Sequence, residues 1–317
     1  MKVDTHSNLL VQAATSLVRR RRVLLAALML VGIAFVANAL WHSVREPLLN
    51  DARYLVTTEN LDLGTQPPWV TSDIRPAALA RAGLQGPLST LEPQQLTARL
   101  AESLRLHPWV KGVTRIELRS PNLVVVELQW RRPVAVVESN SPSGASLLPI
   151  DNEGVRLPVE QNLSEQLRYL PRITQMSHAP QVGEVWQDLR VVGALRLIES
   201  FAEDWQRLSL LDIAAEPTPQ IRGEQQFYSY ELLARGGTRI VWGAAPNAAA
   251  PDEATIEQKL ARLKAFLATS GADLNTDRSP QWIDVRYDLR TKQRLAKKKT
   301  TERTALKADP ESQEKAK

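Results

Sequence analysis

Residues 107–137 read HPWVKGVTRIELRSPNLVVVELQWRRPVAVV, and their alternation constrains the fold more than any other stretch. Val110, Thr114, Ile116 and Leu118 point one way, with Lys111, Arg115, Glu117 and Arg119 turned toward the other face together with Val113. A period of two marks a half-buried strand. Ser120-Pro121-Asn122 turns the chain, because proline presets φ and asparagine tolerates the tight conformation after it. The return strand sets Val124, Val126, Leu128 and Trp130 against Val125, Glu127, Gln129 and Arg131. Ahead of the hairpin, Leu96, Leu100 and Leu104 recur every four residues behind Pro93, a residue that suits a helix start. A shorter helix is predicted over 73–82, with Ser72 or Asp73 as cap and Gly83 as stop. A strand is predicted over 54–61. The order β-α-α-β-β places two helices on one face of a three-stranded sheet, a domain of about 85 residues.

Residues 23–40, VLLAALMLVGIAFVANAL, carry no charge. At ~1.5 Å per residue a helix of this length spans roughly 27 Å, enough for the hydrocarbon core. Arg19, Arg20, Arg21 and Arg22 abut its start, and Trp41 stands at its far edge. The positive-inside rule makes 1–22 a cytoplasmic tail, 23–41 a single N-terminal transmembrane helix, and exports the rest. A signal peptide is the rival reading, because Ala37-Asn38-Ala39 is an A-x-A cleavage pattern behind an apolar core at 23–36. The long segment ahead of that core and the apolar run's continuation to Leu40 favour the anchor. Both readings put the bulk of the chain outside the cytoplasm.

The formal charge of +5 lives in the tails. Residues 1–22 carry five basic and one acidic residue, and 291–317 carry nine and four, so 23–290 is net −4. A nucleic-acid binder concentrates positive charge on its folded part, and this chain does the opposite. With no cysteine, disulfides and thiolate metal sites are excluded together, leaving hydrophobic cores to stabilise the exported part.

Residues 139–146, SNSPSGAS, read as a turn-rich break ending a first domain at 42–138. A hairpin is predicted over 147–158, around Asp151-Asn152-Glu153-Gly154. Residues 169–173 read as a short edge segment, since Pro171 cannot donate to a ladder. From 188 to 205 the period becomes helical, with Val191, Leu195, Ile198 and Trp205 on one stripe. Residues 208–214 and 227–233 are predicted strands, and Arg235-Gly236-Gly237-Thr238 turns the second into another at 239–242. Ile256, Leu260, Leu263 and Leu267 make an amphipathic helix over 253–269. Over 283–290, Ile283, Val285, Tyr287 and Leu289 alternate with Asp284, Arg286, Asp288 and Arg290, predicting a closing strand. This second domain, 139–290, is mostly β with two amphipathic helices, so the fold class is α+β. Residues 291–317 are basic and lack an apolar run, which predicts a disordered tail.

The strand-helix-helix-strand-strand order resembles a POTRA domain. Its tail, HPWVKGV…RIEL…PNLVVVEL…RRPVA, is similar to the motif of the bacterial cell-division family FtsQ (DivIB in other bacteria). LLPIDNEGVRLP, RIVWG, IEQKLARLKAFL and IDVRYDLR also occur in that family's order, so the resembling blocks cover about residues 15–290. The resemblance implies a non-enzymatic divisome scaffold of the inner membrane, with its bulk in the periplasm and concentrated at the septum. It implies protein partners of FtsB and FtsL type, with neither cofactor nor small-molecule substrate. Partners would bind at the last strand of the β domain, which assigns Arg286 and Tyr287, with Ile283, Val285 and Leu289, to the site. An edge strand's unpaired N–H and C=O groups suit such strand addition. The family continues past this motif with a glycine-containing turn and a further strand-like segment, and here residues from Thr291 onward lack both. Arg131 and Arg132, before Pro133, are a second candidate recognition edge or ordinary surface charges.

An outer-membrane assembly or secretion component is the alternative, but such proteins end in a long transmembrane barrel. Only about 150 residues (139–290) and then a charged tail come after the first domain, too few for sixteen strands. A periplasmic enzyme is a third reading. The only histidines are His6, His42, His107 and His178, without H-x-x-x-H spacing, and no G-x-S-x-G, G-x-G-x-x-G or P-loop pattern occurs. His107-Pro108-Trp109 reads as a helix end with a packed tryptophan. Asp151 and Glu153 read as solvated turn residues, and Asp284 and Asp288 as a strand's polar face.

Overall fold

The computed structural model describes residues 5–141, 144–160, 167–176, 178–222, 225–248, 250 and 253–294. It is a mixed α+β structure with one N-terminal apolar helix and a β-rich remainder. That helix, α1 (Thr5–Leu49), extends past the predicted apolar stretch at both ends. Within it the 23 residues Ala27–Leu49 are long and apolar enough to cross a membrane, and none of the apolar window is buried inside the protein. Near its end Arg45 pairs with Glu92.

The chain divides into two compact units. The first comprises Met1–Val136, Leu147–Arg168 and Ala179–Trp186, and the second Val137–Ser146, Tyr169–His178 and Gln187–Lys317.

In the first unit, β1 (Leu61–Asp62), α2 (Arg75–Ala82), α3 (Pro93–Arg105), β2 (Val110–Arg119) and β3 (Leu123–Trp130) come in that order. The sheet order is β1-β3-β2, with β1 parallel and β2 antiparallel to β3. The strand predicted at 54–61 is confined to its end. Upstream, Val56 donates to Leu88 O at 2.9 Å and Tyr54 O accepts from Thr90 N at 2.9 Å, so this backbone is committed to the 88–90 segment. Helix α2 begins at Arg75, and Asp73 still accepts the Arg75 N–H at 3.0 Å. The helix ends at Ala82 with Gly83 as its C-cap, as predicted, although Gly83 does not take the left-handed conformation. It is right-handed (φ −74°) and opens a single 3-10 turn that ends at Gly86 (φ 125°). Leu96, Leu100 and Leu104 of α3 are buried, because their spacing of four aligns them on the face toward the sheet.

Glu160 clasps this unit. Its carboxylate accepts from Thr71 N (2.5 Å), Ser72 N (3.1 Å), Ser72 Oγ (2.8 Å), the Thr71 hydroxyl and the Trp109 indole N–H (2.7 Å). Trp109 is wholly buried, so its N–H needs such a partner. Burial pushes the Glu160 pKa up, but these donors outweigh it and hold the carboxyl below its ordinary value. Asp151 is also not the solvated turn residue expected. It is buried, pairs with Arg131, and accepts the Glu153 and Val155 N–H groups at 2.9 and 2.8 Å.

In the second unit the strands β6 (Arg172–Met176), β7 (Leu210–Ala215), β10 (Ser229–Ala234), β11 (Arg239–Ala244), β12 (Trp282–Asp284) and β13 (Arg290–Lys292) share one sheet with β4 (Ala135–Ser141) and β5 (Gly144–Ile150). Its order is β13-β12-β11-β10-β7-β6-β4-β5. A separate ribbon pairs β8 (Gln220–Arg222) with β9 (Gln225–Phe227). The supposed break at 139–146 is therefore largely strand, with residues 142–143 outside the described residues. The segment expected at an edge is central instead: Pro171 precedes β6, whose own residues pair in parallel with β7. The predicted helix over 188–205 is two, α4 (Leu189–Phe201), capped by Asp188, and α5 (Asp204–Arg207), separated at Ala202 with φ 42°.

Both helical segments have a topological reason. Strands β6 and β7 are parallel neighbours, as are β11 and β12. Parallel neighbours need a crossover of a dozen or more residues, usually helical. Helices α4 and α5 fill the first connection, and α6 (Ile256–Ser270) fills the second. Helix α6 starts with a reciprocal capping box between Thr255 and Gln258, and Gly271 ends it in the left-handed conformation (φ 64°). Phe201, Trp205 and Trp242 form an aromatic cluster in the core, with Phe201 4.7 Å from Trp242 and edge-on to Trp205 at 5.9 Å.

Candidate partner-binding edge

The predicted strand over 283–290 is broken in two. Strand β12 covers Trp282–Asp284, the chain bends over 285–289, and β13 returns antiparallel with Asp284↔Arg290, Ile283↔Thr291 and Trp282↔Lys292 as partners. β12 is thus paired on both sides, with β11 and β13, and among the described residues the sheet ends at β13. The basic segment from Thr291, expected to be disordered, begins as strand, while 295–317 lies outside the described residues.

The bend has local causes. Asp284 accepts the Arg286 N–H at 3.0 Å and pairs with its guanidinium at 2.8 Å, curling the chain over two residues. Helix α6 and its N-terminal approach hold the bend in place: Ala254 N donates to Arg286 O at 2.9 Å, and Arg262 donates to Val285 O at 3.1 Å. Alternation therefore holds only as far as Val285. Ile283 and Val285 are buried, but Tyr287 and Leu289 are each 40% exposed and do not line the core as expected. The Arg286 guanidinium lies 5.7 Å from the Tyr287 ring centre, a cation–π arrangement. Desolvation raises the Asp284 pKa, but hydrogen bonds from Arg286 outweigh it and leave the carboxyl below its ordinary value. The aspartate is thus an internal brace and not a solubilising charge.

Behind the bend sits a pair that sequence reasoning missed. Lys259 Nζ meets Glu253 Oε2 at 2.6 Å with both side chains buried, and lies 5.6 Å from the Trp242 ring centre. The same carboxylate oxygen accepts the Ala244 N–H at 3.0 Å. Burial pulls the Lys259 pKa down, and Glu253 offsets part of that. Gly243 is required beside it: its φ is +85°, and a Cβ there would stand 2.3 Å from the Glu253 carboxylate. The signal was in the spacing: Lys259 lies three residues after Ile256 and four before Leu263, on the apolar face of the helix.

Strand β13 is exposed at all three residues. Arg290 and Lys292, two apart, share one sheet face, while Thr291 sits opposite buried Ile283. Just beyond, Arg294 donates to Gly236 O at 2.6 Å and holds the chain against the β10–β11 turn.

The second candidate edge is largely committed. Arg131 is 16% exposed and bound to Asp151 and, at 2.8 Å, to Glu153. Its backbone carbonyl accepts the Trp69 indole N–H at 2.9 Å, and Arg132 lies 5.8 Å from the Trp69 ring centre. Desolvation lowers the Arg131 pKa, but Glu153 and Asp151 leave it raised overall.

No protein-family model matches this chain, and no curated protein matches it either.

Proposed function

We propose that this is a single-pass envelope protein of the FtsQ/DivIB type: a non-enzymatic divisome scaffold whose β1-α2-α3-β2-β3 unit is a POTRA domain. One observation carries the reading. A helix of membrane-crossing length precedes that element order, with β3 central in its sheet, and a β-rich unit comes after it whose sheet ends on a strand edge left unpaired among the described residues. In this reading α1 anchors the chain with its N-terminus in the cytoplasm, where the four arginines hold it. The periplasmic units then recruit FtsB- and FtsL-like partners at the septum, without cofactor or small-molecule substrate. The sheet edge supports this, because β13 can accept a partner's strand through main-chain hydrogen bonds. The partner site then centres on β13 and the bend with half-buried Arg286 and exposed Tyr287 and Leu289, while Ile283 and Val285 support it from the core.

A fluorescent fusion to the N-terminus tests this. Concentration at the division site, with division blocked on depletion, is expected. Uniform envelope fluorescence with normal division after depletion would instead favour an envelope assembly or secretion accessory protein.

A further inference from the structure

We propose that the edge of β13 selects an acidic strand, one with carboxylates at alternate positions facing Arg290 and Lys292. This rests on the strand-addition reading above and adds what chooses the occupant. Arg290 and Lys292 lie on the sheet's outer face, and neither has a carboxylate in ion-pair contact among the described residues. Asp284, directly across from Arg290, is already held by Arg286 at 2.8 Å. Two exposed cations, neither in ion-pair contact and Arg290 drawn only through space by Asp284, therefore border a backbone edge that no strand covers among the described residues.

Their spacing defines the complement. Residues two apart in a strand are separated by roughly 6.7 Å. A strand added alongside repeats that interval, so carboxylates at every second position meet both cations. Opposite charges across a ladder favour pairing, and like charges oppose it. The same rule rejects a second copy of this chain, whose edge would bring the same cations. Basic edges guard sheets against indiscriminate pairing. Here the guard also acts as a filter, since only an oppositely charged strand gains from passing it.

The test uses the full chain in nanodiscs of neutral lipid and three fluorescent nine-residue probes. One alternates valine with glutamate, one alternates valine with lysine, and one is the glutamate peptide N-methylated at alternate residues on its pairing edge. Anisotropy should show the acidic peptide binding about tenfold tighter than the basic one, the sum of two cross-strand pairs. The preference should invert in the Arg290→Glu/Lys292→Glu variant and shrink at 1 M salt. No binding of the acidic peptide, equal binding of the acidic and basic peptides, or no inversion in the variant overturns the charge selection. Equal binding of the N-methylated probe has a different meaning: it removes strand addition and the reading beneath it. Binding confined to nanodiscs or vesicles of anionic lipid, with none to peptides, would assign the basic edge to a membrane surface and overturn the proposal.

Discussion

The β2–β3 hairpin and the closing segment 282–292 display the same sequence pattern, yet only one of them is a continuous strand pair. In the hairpin, β2 and β3 run for ten and eight residues and pair along nearly their whole length. In the closing segment alternation extends from Ile283 to Arg290, but the ladder stops at Asp284. The difference lies in competitors for the backbone. Nothing intervenes between β2 and β3, whereas Asp284 captures the Arg286 N–H, and Arg262 of α6 and the Ala254 N–H just ahead of it take the carbonyls of Val285 and Arg286. Period-two patterning states which face a side chain would take in a strand. It does not state whether a neighbouring helix will claim the hydrogen bonds first.

The largest expected effect breaks the support beneath that bend. Glu253→Ala leaves Lys259 buried and unpaired, which costs about 3–5 kcal/mol. It should unfold the second unit at markedly lower denaturant, read by the fluorescence of buried Trp205 and Trp242. If the closing segment depends on α6, hydrogen exchange at 284–292 should accelerate as well. Adding Lys259→Met should recover part of the loss, because an apolar side chain tolerates the site where a lone charge does not. Unchanged stability in the single variant would mean that the pair is not buried as described.

Next comes Glu160→Ala in the first unit, expected to cost about 1–3 kcal/mol, since the buried Trp109 N–H loses its acceptor. The hairpin should survive while its clasp opens. Acid should act the same way. The Glu160 pKa is depressed in the fold, so its contribution is complete above the unfolded carboxylate value and is lost as pH falls through the folded one. Denaturation midpoints measured from neutral to acidic pH should therefore decline less in Glu160→Gln than in the parent. A parallel decline would remove Glu160 as a source of acid sensitivity.

Arg286→Glu has a smaller expected effect. It replaces a pairing partner of Asp284 with a like charge at a site whose side chain is 30% exposed, so about 1 kcal/mol is expected. Partner binding, if it uses the bend, should fall by more than this stability change explains. A loss of binding no larger than the loss of folded protein would assign Arg286 to bracing alone.

Much of the fold was legible because it obeys single-chain rules. The four-residue leucine spacing of α3, the Thr255–Gln258 cap of α6 and the turn between β2 and β3 need no knowledge of tertiary partners. The misses depend on residues distant in sequence. Tyr54 and Val56 look like strand until residues 88–90 claim their backbone. Pro171 looks like an edge marker, yet it sits just ahead of a strand that lies inside the sheet. Asp151 looks solvated because its charge is read before its partner Arg131 is known, and the burial of Lys259 makes sense only once its partner Glu253 is known. At the candidate edge the alternating Arg290, Lys292 and Arg294 were visible. Arg290 was read as the end of the closing strand, while the lysine- and arginine-rich surroundings of Lys292 and Arg294 made those two read as tail, although the period of two was itself a strand signal.

The smallest expected effect makes the sharpest comparison with the hairpin. If 283–290 were one strand, Tyr287 would be a core residue, and Tyr287→Ala would cost about 3–5 kcal/mol, as large aromatic truncations in cores do. In the bend its ring is 40% exposed and stacked beside Arg286. Truncation should then cost below about 1 kcal/mol, the range of an exposed cation–π contact and partial burial. The control is Val126→Ala in β3, where the same alternation does reach the core and the side chain is almost wholly buried. That change should cost about 1–3 kcal/mol, through lost transfer energy and the cavity left behind. Equilibrium denaturation of the two variants decides between the geometries. A Tyr287→Ala loss as large as that of Val126→Ala would restore the continuous strand and, with it, the buried face that the sequence pattern predicts.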